Sequence, residues 1–348
     1  MPSSSSVPEF CVIPGAQVQD ALASATDEVL PLVENVYRMH AEGDALNPPS
    51  YFFHPDGTRS SRIITLPASL RGDQPVSGMK WIASYPANLG LGLPRASGVV
   101  ILNDPRTGYP FACMEGSVIS ATRTAASAVL AATALSGTRP RPATIGFVGC
   151  GMISRYIQQW FVNAGWRFTH TRLFDADGDR ARRLGSHLEK ADAAGTVSVS
   201  DSLDALVRDV ELVVFATTAS APHVDAPEAF SHHPVVLHVS LRDLSPAVVS
   251  RSFNVVDDID HCLTAGTSLE LTEQQTGHRD FVSGTLHDVL SGRLEVPGDE
   301  TVVFSPFGLG VLDLALAHLV HRRLTEAGDI RPVPDFFSEL DRPDEGRD

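Results

Sequence analysis

An α/β protein in two parts is what this chain predicts, and three observations carry that expectation. After about residue 143, short apolar β-branched runs alternate with helix-like segments, the pattern of a parallel sheet covered on both faces. The first of these runs, Thr144 to Val148, ends in the glycine turn Gly149-Cys150-Gly151 and leads into a helix. Before Gly137, strand signals follow one another with only turns between them, as in an antiparallel sheet.

Taken in order, residues 13–43 read as helical, with Val29, Leu32, Val33 and Val36 at helical spacing, and Pro48-Pro49 breaks the pattern. Strands are expected at Arg62 to Leu66, Gly78 to Ala83, Gly98 to Leu102 and Tyr109 to Met114, the last two joined by the turn-forming Asn103 to Gly108. Glu115 to Leu135 is an alanine-rich helix, and Gly137 to Pro142 is a linker rich in glycine, proline and arginine. Beyond it, strands are expected at Thr144 to Val148, Thr171 to Phe174, Val197 to Val199, Glu211 to Phe215, Val235 to Val239 and Asn254 to Val256. Helices are expected at Ile153 to Ala164, Asp179 to Ala191, Ser202 to Arg208 and Ser245 to Ser250. A last helix, Gly310 to Thr325, is apolar on one side and returns to the first part.

The 348 residues suffice for one large or two medium cores. With 27 basic and 42 acidic residues, a net charge of −15, the chain argues against a nucleic-acid partner. Cys11, Cys113, Cys150 and Cys262 are scattered, which argues against a zinc site or a disulfide framework and suits a reducing cytoplasm. No apolar run is expected to reach membrane-spanning length, and Met1 to Ser6 lacks the features of a signal peptide. That segment and the tail Arg342 to Asp348 are expected to fray.

Backbone N–H groups and the helix dipole at a strand–glycine turn–helix junction suit a dinucleotide pyrophosphate. This marks Gly149, Gly151, Met152 and Ile153 as cofactor-binding candidates, with Ser154 small enough for close helix–strand packing. Asp175 follows the next strand at the distance expected of a ribose-binding carboxylate, which favours NAD over NADP. Thr217 and Thr218 end a strand where hydroxyls line a cofactor, or are ordinary strand-end polarity. Asp243 follows the strand Val235 to Val239, either in the ligand crevice at the strands' carboxyl ends or as a cap for the helix at Ser245. Lys80, in Met79-Lys80-Trp81, is either an edge-strand lysine in water or an ammonium aimed into a cleft. Arg123 sits among small residues and needs an anion, either a structural acid or a substrate carboxylate. His232-His233 lacks further ligands at a useful spacing, so no metal is expected.

These segments together resemble the ornithine cyclodeaminase/μ-crystallin family of nicotinamide-dependent proteins, over nearly the whole chain. The resemblance rests on Gly78-Met79-Lys80-Trp81, Gly92-Leu93-Pro94, Leu102-Asn103-Asp104 with Thr107-Gly108-Tyr109-Pro110, Arg123-Thr124-Ala125-Ala126, Gly149-Cys150-Gly151, and Ser305-Pro306-Phe307-Gly308 with Asp313. Lys80-Trp81-Ile82-Ala83-Ser84, Gly92 to Ser97 and Tyr109 to Gly116 look like the versions found in the subgroup that makes L-2,3-diaminopropionate for siderophores and peptide antibiotics. The resemblance implies an NAD-dependent enzyme that oxidises N-(1-amino-1-carboxy-2-ethyl)-L-glutamate at the glutamate Cα and releases 2-oxoglutarate and 2,3-diaminopropionate. Carried over residue by residue, Lys80 and Asp243 are catalytic, Arg62, Lys80 and Arg123 bind substrate carboxylates, and Ser305 and Gly308 join the cofactor site. Two departures stand out. Ile64-Thr65-Leu66-Pro67 lacks the glutamate of cyclodeaminases, which argues against ornithine cyclisation, and Ile153-Ser154 replaces a Gln-Ala pair common in relatives. The implied architecture is a Rossmann dinucleotide-binding domain at 138–315 and an α+β substrate-binding and dimerisation domain at 1–137, completed by 316–348. The active site is expected in the cleft between them, in a cytoplasmic homodimer.

Overall fold

The computed structural model describes residues 8–57, 61–190 and 194–337. The ends expected to fray, Met1 to Ser6 and Arg342 to Asp348, lie outside them, as does Ala191. The chain packs as two compact units. The first takes the described residues up to Leu32, then Met39–Ser120 and those from Gly310 onward; the second takes Val33–Arg38 and Ala121–Leu309. The divisions thus fall inside a helix and at the start of another, not in the Gly137 to Pro142 linker.

In the first unit, β1 (Cys11–Ile13) precedes α1 (Gly15–Ala23) and α2 (Thr26–Glu42). The single helix expected over 13–43 is therefore two. Ser24 turns its hydroxyl back onto the Ala21 carbonyl (2.9 Å), and the fully buried Ala25 restarts the ladder by accepting from Glu28 and Val29. The joint lets Val18 and Leu22 on one helix, and Val29 and Val33 on the other, all reach the core. Next come β2 (Ala45–Leu46), β3 (Tyr51–Phe53), β4 (Arg62–Leu70), β5 (Val76–Ser84), β6 (Ala96–Asn103), β7 (Pro110–Glu115) and the start of α3 (Ser117–Leu135), which belongs to the second unit from Ala121 onward. The sheet runs β1-β7-β6-β5-β4-β2 with β3 also on β4, and only the β1–β7 pair is parallel. The three shortest strands carry too few residues to show a period, so the sequence pattern passed over them.

α3 is long and apolar enough to span a bilayer by length and composition, a correction to the expectation that no run reaches that length. Here it is a core helix: Ala121, Ala125, Ala126, Ala128, Val129, Ala131, Ala132 and Leu135 are buried within the protein.

The second unit continues with β8 (Thr144–Val148), α4 (Met152–Asn163), β9 (His170–Phe174), α5 (Gly178–Leu188), β10 (Thr196–Val199), α6 (Leu203–Val207), β11 (Leu212–Phe215), β12 (Val235–His238), α7 (Pro246–Val249), β13 (Phe253–Val256), α8 (Ile259–Cys262), α9 (Ser268–Thr276), β14 (Val282–Thr285), α10 (Leu286–Leu290) and β15 (Val302–Ser305). All its strands are parallel, in the order β10-β9-β8-β11-β12-β15-β13-β14. The chain steps outward from β8 through β9 to β10, then reverses to β11 on the other side of β8. That reversal is the topological switch point where α/β sheets open a ligand crevice. β11, β12 and β15 are buried at every residue, as strands covered on both faces must be. This unit is a Rossmann-type α/β fold, and the first is α+β.

α11 (Gly310–Ala327) closes the first unit, packing over β4, β5 and β6. Its first three turns are buried almost all round, from Val311 to Val320 with only His318 half-exposed, the signature of a core helix rather than an amphipathic surface one.

Candidate active site

The carboxyl ends of β8, β9, β11 and β12 bring most of the expected cofactor residues to the switch point. Gly149 adopts φ +89°, and a Cβ there would come within 2.6 Å of the Ala216 carbonyl oxygen, so only glycine lets the end of β8 approach the end of β11 so closely. Over Gly151 a Cβ would meet nothing within 4 Å: the space above the turn is open. Gly151 is the N-cap of α4 and provides no side-chain cap, so the N–H groups of the first turn, beginning at Met152 and Ile153, have no such partner. Ser154 is buried and its hydroxyl donates to the Gly149 carbonyl (2.5 Å), locking the turn. Asp175 accepts from the Cys150 N–H (2.8 Å) and the Asp177 N–H (2.9 Å), which fixes the carboxylate beside the glycines. Burial and the Asp175 charge push the Cys150 thiol up to about 12, so it stays protonated. An open glycine cradle, an uncapped twelve-residue helix and an adjacent carboxylate fit a dinucleotide.

Asp243 has no exposed side chain. Thr217 donates to its Oδ1 (2.5 Å), Ser240 donates to Oδ2, and His223 Nε2 lies 3.8 Å from Oδ1. The Asp243 N–H donates to His238 Nε2 (3.1 Å), which places the imidazole proton on Nδ1, facing Ser305 Oγ (3.1 Å). Nε2 also lies 3.3 Å from Oδ2, so a second ring proton would bridge to the carboxylate. Burial by itself would raise the Asp243 pKa; His238, Ser240 and Thr217 outweigh it and bring the carboxyl down to about 2. The loop holding it is strained: Leu241 adopts φ +67°, pinned by its N–H on the His238 carbonyl and by the Ser268 N–H on its own carbonyl. Ser305 is fully buried with its side chain on His238, and Thr217 is committed to Asp243. Thr218 is exposed in the same loop.

Arg123, on α3, packs against the Cα of Gly308 and contributes charge to the neighbourhood of Asp257. Asp257 accepts from the N–H groups of Phe307 (2.9 Å) and Gly308 (2.7 Å). Burial raises its pKa, and those bonds, the Cys262 thiol and Arg123 oppose the rise. Gly308 thus lies between Arg123 and Asp257.

In the first unit, Lys80 is not an edge lysine. β5 is paired on both sides, and Lys80 is 2% exposed. Its ammonium donates to Asp313 Oδ2 (2.6 Å), itself fully buried on α11, and to Ser120 Oγ (3.2 Å). Leu66 lies opposite Lys80, and Arg62 lies opposite Ser84, so Arg62, Lys80 and Ser84 share one face of the sheet. Arg95 donates to Ser84 Oγ (2.6 Å).

Asp313 was visible as a motif residue but not as the partner of Lys80. His238 and Asp257 were passed over; the available signals were a histidine within an apolar strand and an acid at a strand's carboxyl end. His232 is spent on the Val210 carbonyl (2.9 Å), and among the described residues no three His, Cys, Asp or Glu side chains are grouped to hold a metal.

This two-unit arrangement has a counterpart among known proteins. The model of the ornithine cyclodeaminase/mu-crystallin family matches residues 15–328. The chain belongs to that family. It is 26% identical to the N-((2S)-2-amino-2-carboxyethyl)-L-glutamate dehydrogenase of Staphylococcus aureus over 294 residues, 82% of this chain and 86% of that enzyme. It is 28% identical to the alanine dehydrogenase of Archaeoglobus fulgidus over 302 residues, 85% of this chain and 89% of that enzyme. Its fold matches the Thermococcus litoralis Delta(1)-pyrroline-2-carboxylate reductase, solved with NADH and L-proline, with a TM-score of 0.85 at 22% identity over 93% of this chain and all of that one.

Proposed function

We propose that this family member is an NAD-dependent amino-acid dehydrogenase that cleaves N-((2S)-2-amino-2-carboxyethyl)-L-glutamate oxidatively to L-2,3-diaminopropionate and 2-oxoglutarate. The observation that carries this reading is the sheet face of the first unit that Arg62 shares with Lys80 and Ser84, with Arg95 bonded to Ser84, in a chain of net charge −15. Such a face suits a substrate with three carboxylates better than a small monocarboxylate such as alanine. The likeness to the staphylococcal dehydrogenase points the same way.

Gly149, Gly151, Met152, Ile153, Asp175, Thr217, Thr218, Ser305 and Gly308 are assigned to the cofactor side of the site, with Ser305 and Thr217 acting through His238 and Asp243. NAD, when bound, supplies the acceptor for the hydride that leaves the glutamate Cα. Arg62, Arg123 and Lys80 hold carboxylates, turning binding energy into orientation. With its pKa near 2, Asp243 is ionised at neutral pH and a weak proton acceptor, which suits it to steady positive charge at the substrate nitrogen as C=N forms. Lys80, kept in place by Asp313 and Ser120, is then the group left to exchange protons as water adds to the imine and the C–N bond breaks. The product would feed siderophore or peptide-antibiotic assembly, and the resemblance further implies a cytoplasmic homodimer.

The test is reduced-nicotinamide formation from NAD⁺ with this tricarboxylate, alanine and ornithine in parallel. Signal with the tricarboxylate together with released 2-oxoglutarate supports the reading. Signal with alanine alone replaces the substrate, and silence with all three refutes the assigned reaction.

A further inference from the structure

Beside Arg62, which the family resemblance assigns to a substrate carboxylate, the first unit holds a second arginine, Arg95, to which the resemblance gives no role. Arg62 and Arg95 are both half-buried, and each has its pKa lowered by burial, Arg95 further by the charge of Arg62. Ser84 links them: its backbone is paired with Arg62 across the β4–β5 ladder, and its hydroxyl accepts from Arg95 Nη1 (2.6 Å). Buried guanidinium groups ordinarily bring an acid with them, because an uncompensated charge removed from water is costly. Among the described residues neither arginine has an acidic partner, and Arg62 Nε is buried with no acceptor. Two like charges held together without a counter-ion destabilise a fold, so the arrangement calls for an anion from outside the unit.

The position defines which anion. Lys80 and Ser84 lie four residues apart on one strand, on the same face, a span of about 13 Å between Cα atoms. A substrate with carboxylates at both ends suits charges spaced along one strand in this way. We infer that Arg62 and Arg95 form a paired-guanidinium subsite for a distal carboxylate of the substrate, with Arg95 the residue that separates polycarboxylate substrates from alanine-like ones. This deepens the proposed reaction and rests on it for the identity of the substrate. The subsite itself rests on the geometry alone. The fork of each guanidinium matches a carboxylate in two bonds, which lysine cannot reproduce.

The experiment compares wild type, Arg95→Gln and Arg95→Lys in two readouts. In the first, thermal melting is followed with and without glutarate, with acetate as the one-carboxylate control. Glutarate raises the wild-type melting temperature more than acetate does. Arg95→Gln loses that rise yet melts no lower than wild type without ligand, because it relieves a like-charge contact. A merely structural arginine would behave oppositely, with a lowered melt and an unchanged glutarate response, and that result overturns the subsite. In the second readout, KM for the tricarboxylate rises about 10- to 100-fold in Arg95→Gln, the effect of one charge-assisted bond, with kcat changed far less. Arg95→Lys falls between. If glutarate binds through Arg95 but the tricarboxylate is not oxidised, the subsite stands and the assigned reaction falls. If the tricarboxylate is oxidised and Arg95→Gln leaves both KM and the glutarate response unchanged, the reaction stands and the subsite falls.

Discussion

Replacing Asp313 with asparagine removes one charge from the most deeply buried ion pair among the described residues of the first unit while keeping nearly the same shape. The Lys80 ammonium lies 2.6 Å from the Asp313 carboxylate, and the two side chains are 2% and 0% exposed. Asparagine leaves an ammonium inside the protein with Ser120 beside it at 3.2 Å but without its counter-charge. Breaking a buried pair from one side costs about 3–5 kcal/mol. An independent ceiling comes from proton loss: keeping a lysine neutral at pH 7 costs about 4.6 kcal/mol from a reference pKa of about 10.4. The two figures agree. A loss of about 3 kcal/mol lowers the melting temperature of a unit this size by roughly 6–12 °C. Circular dichroism melts at pH 7 measure it. The sign of the pH dependence is also fixed. Where Lys80 is neutral in the folded variant, the unfolded chain binds more protons, so stability rises with pH and the gap to wild type narrows toward pH 9. Lys80→Met with Asp313→Leu removes both charges and should recover most of the loss. A D313N melt within about 2 °C of wild type, or a double variant as unstable as the single one, would refute the reasoning.

Gly308→Ala places a Cβ on the Arg123 guanidinium at a backbone φ of +96°, so it should cost more than the about 1–2 kcal/mol of the left-handed conformation alone; a wild-type melt would show that this loop yields freely. Asp243 titrates at about 2 when folded and near 3.9 when unfolded, so it adds about 2.6 kcal/mol of stability above pH 4 that is lost as pH falls toward 2. Asp243→Asn should flatten that part of the acid denaturation curve, abolish turnover and leave NAD binding intact; retained turnover would remove Asp243 from the chemistry. Asp175→Ala should weaken NAD binding about tenfold and reduce its advantage over NADP, read by nucleotide titration, because the carboxylate beside the glycine turn is lost.

The glycine turn was legible because its chemistry is local: Gly149, Gly151 and Asp175 are set by strand, turn and helix signals within one βαβ stretch. The antiparallel strands β4 to β7 were legible for the same reason, though β5 and β6 extend beyond their expected limits as pairing carries the ladder past the apolar residues. What could not be read is whatever depends on a partner far along the chain. Lys80 looked as much like a solvated lysine as a buried one, since its fate rests on Asp313, a helix away at the other end of the sequence. Arg95 gave no sign of pairing with Arg62, because the link runs through Ser84 and the sheet register. β14 was missed because Val-Ser-Gly-Thr holds a single apolar residue and only pairing with β13 defines it as a strand.

The pairing of Lys80 with Asp313 spans 233 positions, and every strand of the parallel sheet lies between them in the chain. At about 5–20 residues per second, a ribosome needs roughly 10–50 s to travel that distance. Throughout that interval β4, β5 and β6 lack the helix that covers them, and the lysine at their centre lacks its counter-ion. The second unit, by contrast, takes no segment from beyond Leu309. It is therefore free to fold first, while the chemistry-bearing sheet is finished last, by the final helix to be made. A truncation that removes only α11 would strip the first unit of its core and its lysine of its anchor together, while leaving the nucleotide cradle complete.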